Sequence, residues 1–379
     1  MATILFPQRI AFIGASRREQ SLGALVMRNI LAAGYQGELL PIHPEADEIQ
    51  GRKAYRTVRD APGPIDLAIV VVPAAQTIQV VKDCGRAGVK SLLVLSSGFA
   101  EAGEEGIRLQ ERLTREARRY GMRVVGPNSF GLVNNDPEVR LNASLAPVIP
   151  DRGELGLFAQ SGALGIAVLA SAARRGLGIS VFASAGNRVD VSGNDLMQYW
   201  IDDAHTSTVG LYLESMGNPR KFSRIARQLA KVKPLIVVSS GVSSFAAPPG
   251  HRTRRTTVPR QAFDSLLRQA GVIRVENIHQ LFDVAQLTLH QPLPRGGRVA
   301  IVSNSDALGA LSATACLSWG FEVTHGPVAL LPQAPAEEFA AALEAAFADP
   351  SVDSVVASFM PPLETLDEDV TAAVRTVVS

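Results

Sequence analysis

Short runs of β-branched and aliphatic residues recur along this 379-residue chain, and between successive runs lies a segment with helical spacing. That alternation admits few folds. Strands apolar on both faces and joined through helices build parallel sheets with helices on either side. The first block offers strands at 10–13, 38–42, 67–72, 91–95 and 123–125, which predicts a doubly wound, Rossmann-like domain over 1–146. A second α/β block over 151–291 offers strands at 155–158, 180–183, 209–213 and 235–238, with a helix around 262–270. A third, over 297–379, begins with a strand at 299–302 and continues through a helix near 336–347, a strand at 354–359 and a last helix. Three blocks suit a chain of this length, since domains usually run to roughly 100–200 residues. With about three strands of its own, the third block is expected to be incomplete or packed on a neighbour.

Proline-rich, polar segments at 147–153 and 292–297 read as linkers. Charge excludes one class of function: 37 Lys and Arg against 36 Asp and Glu leave a net charge of +1, so no overall field draws the chain to nucleic acid or an anionic membrane. Any anion site must be local. Cys84 and Cys316 are the only cysteines and lie far apart, which rules out a CxxC pair or a cysteine zinc site; no metal ligand set stands out. The start of the chain lacks the basic, apolar and small-residue sections of a leader, and its apolar runs are short, so a cytoplasmic location is expected.

Function concentrates at the ends of the strands. Gly14-Ala15-Ser16 closes the first strand and precedes a helix at 22–33, an arrangement whose turn and free helix amides suit an anion. A GxGxxG dinucleotide fingerprint would need glycine at Ser16 and Glu19, and the second strand ends in Ile42-His43-Pro44 without a carboxylate for a ribose. Both absences disfavour a nicotinamide-dependent dehydrogenase. Arg17 and Arg18 suit phosphate groups instead. Val72-Pro73-Ala74, Ser97-Gly98-Phe99-Ala100-Glu101 and Gly126-Pro127-Asn128-Ser129-Phe130-Gly131 also follow strand ends, so four loops converge on one sheet edge. Alone, each would be an ordinary turn.

Together with Ser21-Leu22-Gly23 and Pro41-Ile42-His43-Pro44, these loops resemble the CoA-binding domain of the NDP-forming (ADP-forming) acyl-CoA synthetases, relatives of the succinyl-CoA synthetase α-subunit. The resemblance implies that Gly14, Ser16, Arg17, Arg18, Ser21, Pro73, Ser97, Gly98 and Asn128 cradle CoA. Two positions depart from the usual pattern, with His43 in place of asparagine and Ser129 in place of cysteine.

The second block continues the likeness and implies a flavodoxin-like ligase domain. Gln160-Ser161-Gly162-Ala163-Leu164 follows a strand and opens a helix, where Ser161, Gly162 and Ala163 would grip phosphate through free amides. Glu214 ends the strand Leu211-Tyr212-Leu213, where the family carries the carboxylate that orients the active histidine. His251, in Gly250-His251-Arg252-Thr253-Arg254-Arg255, precedes the signature-like stretch 268–275 and would be the phosphoryl carrier. Its arginine-rich surroundings differ from the small residues common there. In the third block, implied to be a second flavodoxin-like domain, Ser303-Asn304-Ser305-Asp306-Ala307-Leu308-Gly309 replaces a glycine-rich loop.

The resemblance thus implies an acid-thiol ligase that joins a small carboxylic acid to CoA with ATP through an acyl phosphate. ATP or ADP and Mg would enter through an ATP-grasp β-type partner, and the assembly would be oligomeric. A CoA-binding regulatory module that has lost the phosphorelay is the alternative, and a dehydrogenase the disfavoured one.

Overall fold

This computed structural model describes residues 1–214, 218–239, 260–361 and 367–378. Two compact units divide at Gln291 and Pro292, within the second proline-rich segment.

In the first unit, strands β1 (Arg9–Ile13), β2 (Glu38–Ile42), β3 (Leu67–Val70), β4 (Ser91–Val94) and β5 (Arg123–Val125) form a parallel sheet in the order β2-β1-β3-β4-β5. β3 and β4 are buried throughout, as a sheet covered on both faces requires. Their register aligns Ile13 with Ile42 and Val70, and Val70 with Val94, so the C-terminal loops leave from one level. The chain reverses its winding direction between β1 and β3, and the crevice outside these strand ends is where ligands of such sheets bind. Helices α1 (Leu22–Ala32), α2 (Ala74–Arg86) and α3 (Glu104–Arg119) flank the sheet.

After β5 no helix returns the chain to this sheet. Strands β6 (Gly131–Asn134) and β7 (Leu141–Ser144) instead make an antiparallel hairpin on the edge of a second sheet, although they lie within the first sequence block. That sheet contains β8 (Arg152–Ala159), β9 (Ile179–Ser184), β10 (Thr208–Leu213), β11 (Leu235–Ser239) and β12 (Ile273–Val275), in the order β12-β11-β10-β8-β9-β6-β7. Its five parallel strands repeat the winding of the first sheet. Around it lie α4 (Gly162–Arg174), α5 (Gly193–Asp202), α6 (Pro219–Ala230), α7 (Arg260–Gln269) and α8 (Ile278–His290). Local sequence sets their starts: Ser192 and Asp195 form a capping box on α5, while the Asn218 side chain caps α6 ahead of Pro219. Each such cap contributes about 1 kcal/mol.

The two sheets share apolar packing. One buried cluster runs from Ile4, Leu5 and Phe12 through Leu132 to Phe158 and Trp200. Buried Asn29 on α1 adds a polar tie, donating to the carbonyls of Ser144 and Ala146 at 2.9 and 3.1 Å.

The second unit holds β13 (Arg298–Ser303), β14 (Glu322–Ala329) and β15 (Ser354–Ser358) in the parallel order β14-β13-β15, with α9 (Asp306–Ser318), α10 (Ala336–Ala348) and α11 (Asp367–Val378). The third sheet therefore starts with the same winding as the other two. No helix among the described residues is long and apolar enough to cross a membrane.

Candidate functional site

At the end of β1, Gly14 has φ +97°, and a Cβ there would lie 2.3 Å from the Val71 carbonyl oxygen. Only glycine fits so close to the neighbouring strand. A Cβ on Gly23 would meet the Gly14 carbonyl oxygen at 2.0 Å, so α1 is seated directly on the turn. Between them, Ser16 accepts the Arg18 N–H at 3.1 Å, and Ser21 both donates to the Arg18 carbonyl at 2.8 Å and caps α1 by accepting the Ala24 N–H at 3.2 Å. Two serines thus shape a turn that leaves Arg17 and Arg18 exposed, without an ion pair to any described residue. α1 has no acidic residue in its first turn, so nothing there repels an anion.

The neighbouring loops reach the same level. Pro73 stands at the start of α2, Ser97 is exposed, and Gly98 adopts φ +97°. Glu101 shapes this last loop: its carboxylate accepts the N–H groups of Gly98 at 2.7 Å and Phe99 at 3.1 Å. Burial pushes its carboxyl upward, but the hydrogen bonds from Asn187 and these amides outweigh burial and hold it below its ordinary value. His43 ends β2 with its Nδ1 accepting the N–H groups of Glu45 and Ala46 at 3.1 and 3.0 Å. An asparagine carbonyl can play that part, which explains why histidine replaces it. Ser129 is buried, donates to the Ser184 carbonyl at 2.6 Å and accepts the Gly131 N–H at 2.9 Å, so its hydroxyl ties the two sheets together.

The loop after β5 is where the two sheet edges meet. Asn128 has φ +55°, and its backbone N–H donates to the Ser96 carbonyl at 2.9 Å. A Cβ on Gly162 would sit 3.6 Å from the Asn128 carbonyl oxygen, and one on Gly165 only 2.6 Å from the Phe130 ring. The first turn of α4 therefore rests against residues 128–130. Ser161 precedes it in an extended conformation, and its side chain makes no capping bond. The amides of Gly162 and Ala163 open the helix, with no acidic residue in the first turn. This is an anion-accepting helix start beside a loop of the first sheet.

Glu214 follows β10 at the same edge. Its backbone N–H donates to the side-chain oxygen of buried Gln160 at 2.8 Å, and the Gln160 N–H donates to the Tyr212 carbonyl at 3.1 Å, so the strand end and the helix start are locked together. The half-buried Glu214 carboxylate has no hydrogen-bond partner among the described residues. His251 and the loop around it lie outside the described residues.

Gln160, Glu101 and Asn187 organise these edges but do not stand out in the sequence as site residues. Gln160 and Glu101 lie inside motifs whose glycines and serines draw attention first. Asn187 lies in the stretch 184–192, which follows at the spacing of the family that the sequence resembles, beside Gly186, which marks a tight turn just after a strand.

Residues 8–135 match the model of a CoA-binding domain, and residues 152–288 that of a succinyl-CoA ligase-like flavodoxin domain. The α-subunit of an ADP-forming acetate–CoA ligase from Pyrococcus furiosus is 35% identical over 84% of this chain and 69% of its own length. An ADP-forming 4-hydroxybutyrate–CoA ligase from Nitrosopumilus maritimus is 33% identical over 98% of this chain, which spans 56% of that protein. Among solved structures, a dinucleotide-forming acetyl-coenzyme A synthetase from Candidatus Korarchaeum cryptofilum, bound to phosphate and ADP, superposes with a TM-score of 0.91 at 29% identity, covering all of this chain and 86% of that one.

Proposed function

Because the chain belongs to the ADP-forming acyl-CoA synthetase family, in which its first 291 residues supply the CoA-binding and succinyl-CoA ligase-like domains, we propose that it is the CoA-binding, phosphohistidine-bearing α-type part of such an enzyme. The reaction is carboxylate, CoA and ATP to acyl-CoA, ADP and phosphate. One observation carries this reading: the Asn128 loop of the first sheet rests on the first turn of α4 in the second, so a cradle for a nucleotide thiol and an amide-lined phosphate site adjoin.

In the direction of acyl-CoA synthesis, His251 takes the phosphoryl group from ATP and passes it to the carboxylate, giving an acyl phosphate. The CoA sulfur then attacks the acyl carbonyl, and phosphate departs from the carbon. Gly14, Ser16, Arg17, Arg18, Ser21, Pro73, Ser97, Gly98 and Asn128 hold CoA. The amides at Ser161, Gly162 and Ala163 hold the phosphoryl oxygens without adding a full positive charge, which lets the group leave again. Glu214 accepts a hydrogen bond from one imidazole nitrogen of His251 and keeps the other as the nucleophile. ATP and Mg enter on an ATP-grasp β-type subunit, the active assembly is an oligomer, and it works in the cytoplasm. The relatives act on acetate and on 4-hydroxybutyrate, which supports a small carboxylic acid as substrate.

The test supplies ATP, Mg and the ATP-grasp subunit of an ADP-forming acetate–CoA ligase, then seeks phosphate on His251 by mass spectrometry without acid. Labelling in wild type and none in His251→Ala is the expected result. Calorimetry with CoA and NAD runs beside it. CoA binding without any label would leave a CoA-binding module that has lost the relay, and NAD binding without CoA binding would remove the reading.

A further inference from the structure

We propose that Asn187 and Glu101 act as a pair of positioning residues that set the CoA-holding loop of the first sheet against the phosphate-holding edge of the second; the inference rests on the CoA reading above. Asn187 lies in the loop after β9, in the second sheet, yet its bonds go to two loops and a helix of the first. Its side-chain amide donates to the Glu101 carboxylate and, at 2.8 Å, to the Gln110 side-chain oxygen. Its own side-chain oxygen accepts the Asn128 amide at 3.4 Å, and its backbone N–H donates to the Pro127 carbonyl at 2.8 Å.

Glu101 splits its carboxylate between the two sides. One oxygen organises the Gly98 and Phe99 amides of its own loop, and the other takes Asn187. Gln110, on α3, closes the circuit by accepting the Ala100 N–H at 3.4 Å. The geometry around Gly186 leaves no slack, since a Cβ there would fall 2.3 Å from the Pro127 carbonyl oxygen and 2.4 Å from that of Asn128. Two backbones in contact and a shared carboxylate make a hinge-free joint between the loop carrying Gly98, the loop carrying Asn128 and the second sheet. Asn187 and Glu101 act on CoA through Gly98 and Asn128 rather than by touching it.

Displacing a binding loop by about 1 Å is enough to cost up to two orders of magnitude in function. The experiment measures CoA affinity by calorimetry on the full chain for Asn187→Ala, Glu101→Ala, the double variant and Glu101→Asp, with melting temperatures as a folding check. Loss of one such bond to a charged partner predicts CoA binding weakened about tenfold in Asn187→Ala and about thirtyfold in Glu101→Ala. The double variant should fall well short of the product of the two separate losses, because both residues belong to one hydrogen-bonded network and share the Asn187–Glu101 bond. Glu101→Asp keeps a carboxylate near the Gly98 amides but falls short of Asn187, so it should bind about as Asn187→Ala does, and adding Asn187→Ala to it should cost little more. A merely structural loss of stability would not produce that pattern of non-additivity and partial rescue. Additive losses, or folded variants that bind CoA as wild type does, overturn the proposal. Failure of the wild type itself to bind CoA overturns the CoA reading and this inference with it.

Discussion

The two sheets of the first unit share one winding but present different chemistry at their strand ends. The edge of the first sheet carries the exposed guanidinium groups of Arg17 and Arg18 over a turn locked by Gly14, Ser16 and Ser21. Around the start of α4, the edge of the second offers, among the described residues, the opening amides of that helix, the uncharged Gln160 and the Glu214 carboxylate. A polyanion such as CoA, whose phosphates carry their charge throughout and take no part in the chemistry, suits fixed cations. A phosphoryl group in transit suits neutral donors that stabilise it without trapping it. The topology supplies two equivalent crevices, and in the proposed reading side chains alone divide the work between them.

The sharpest way to break this division is to remove one edge and read the other. His251→Ala should abolish phosphate labelling, and Glu214→Gln should slow it about 100-fold, as expected when a general-base or orienting group is lost. Both should leave CoA affinity within about twofold of wild type. CoA binding that collapses along with labelling would mean that the two edges form a single site.

The reverse experiment acts on the first edge. Gly23→Val forces a side chain onto the Gly14 carbonyl, so α1 must shift; overpacking of this kind costs about 1–3 kcal/mol, and CoA binding should weaken about 30-fold or more. Phosphorylation of His251 measured without CoA should stay near wild type. Smaller changes should follow from Arg17→Ala and Arg18→Ala, each weakening CoA about three- to tenfold at low salt, with the gap narrowing as salt screens these exposed charges. A salt response of equal size in phosphate binding at the α4 edge would erase the contrast.

How much of this division the sequence shows depends on whether a residue acts through the backbone or across it. Gly14, Gly98 and the strand-ending motifs are visible because a strand end followed by glycine and a helix has a local meaning. Ser16 and Ser21 are legible for the same reason, since each bonds within a few residues of itself. The hairpin β6-β7 is different. Its sequence is contiguous with the first block, and only the open edge of β9 decides which sheet it joins. Asn187 lies 86 residues from Glu101, so nothing local announces their bond. His43 and Ser129 show the converse: departures from the common pattern that look arbitrary become acceptable once their hydrogen-bonding partners are seen. The catalytic pairing of Glu214 with His251 comes from resemblance alone, and the histidine lies outside the described residues.

The smallest expected effect concerns the joint between the edges and its response to acid. Glu101 is held below its ordinary value of 4.5 in the folded chain, against the upward push of burial, because Asn187 and the Gly98 and Phe99 amides favour the carboxylate. A depressed carboxyl stabilises the fold fully above its unfolded value and loses that contribution as pH falls through the folded one. From about pH 5 to 8 its contribution is therefore flat. Below that range the unfolded chain binds the proton first, and the advantage shrinks. Asn187→Ala removes one of the bonds that hold the carboxyl down, so its acid decline should begin at the same pH, set by the unfolded chain, but should be smaller and end at a higher pH than in wild type. At neutral pH the variant should melt about 2–4 °C lower, the shift expected for about 1 kcal/mol in a unit of this size. Once Glu101 is protonated in both proteins the difference should narrow, and melting curves from pH 3 to 7 measure it directly. A gap that widens towards acid would show that Asn187 does not favour the ionised form of Glu101, and the latch between the two edges would then need another source of strength.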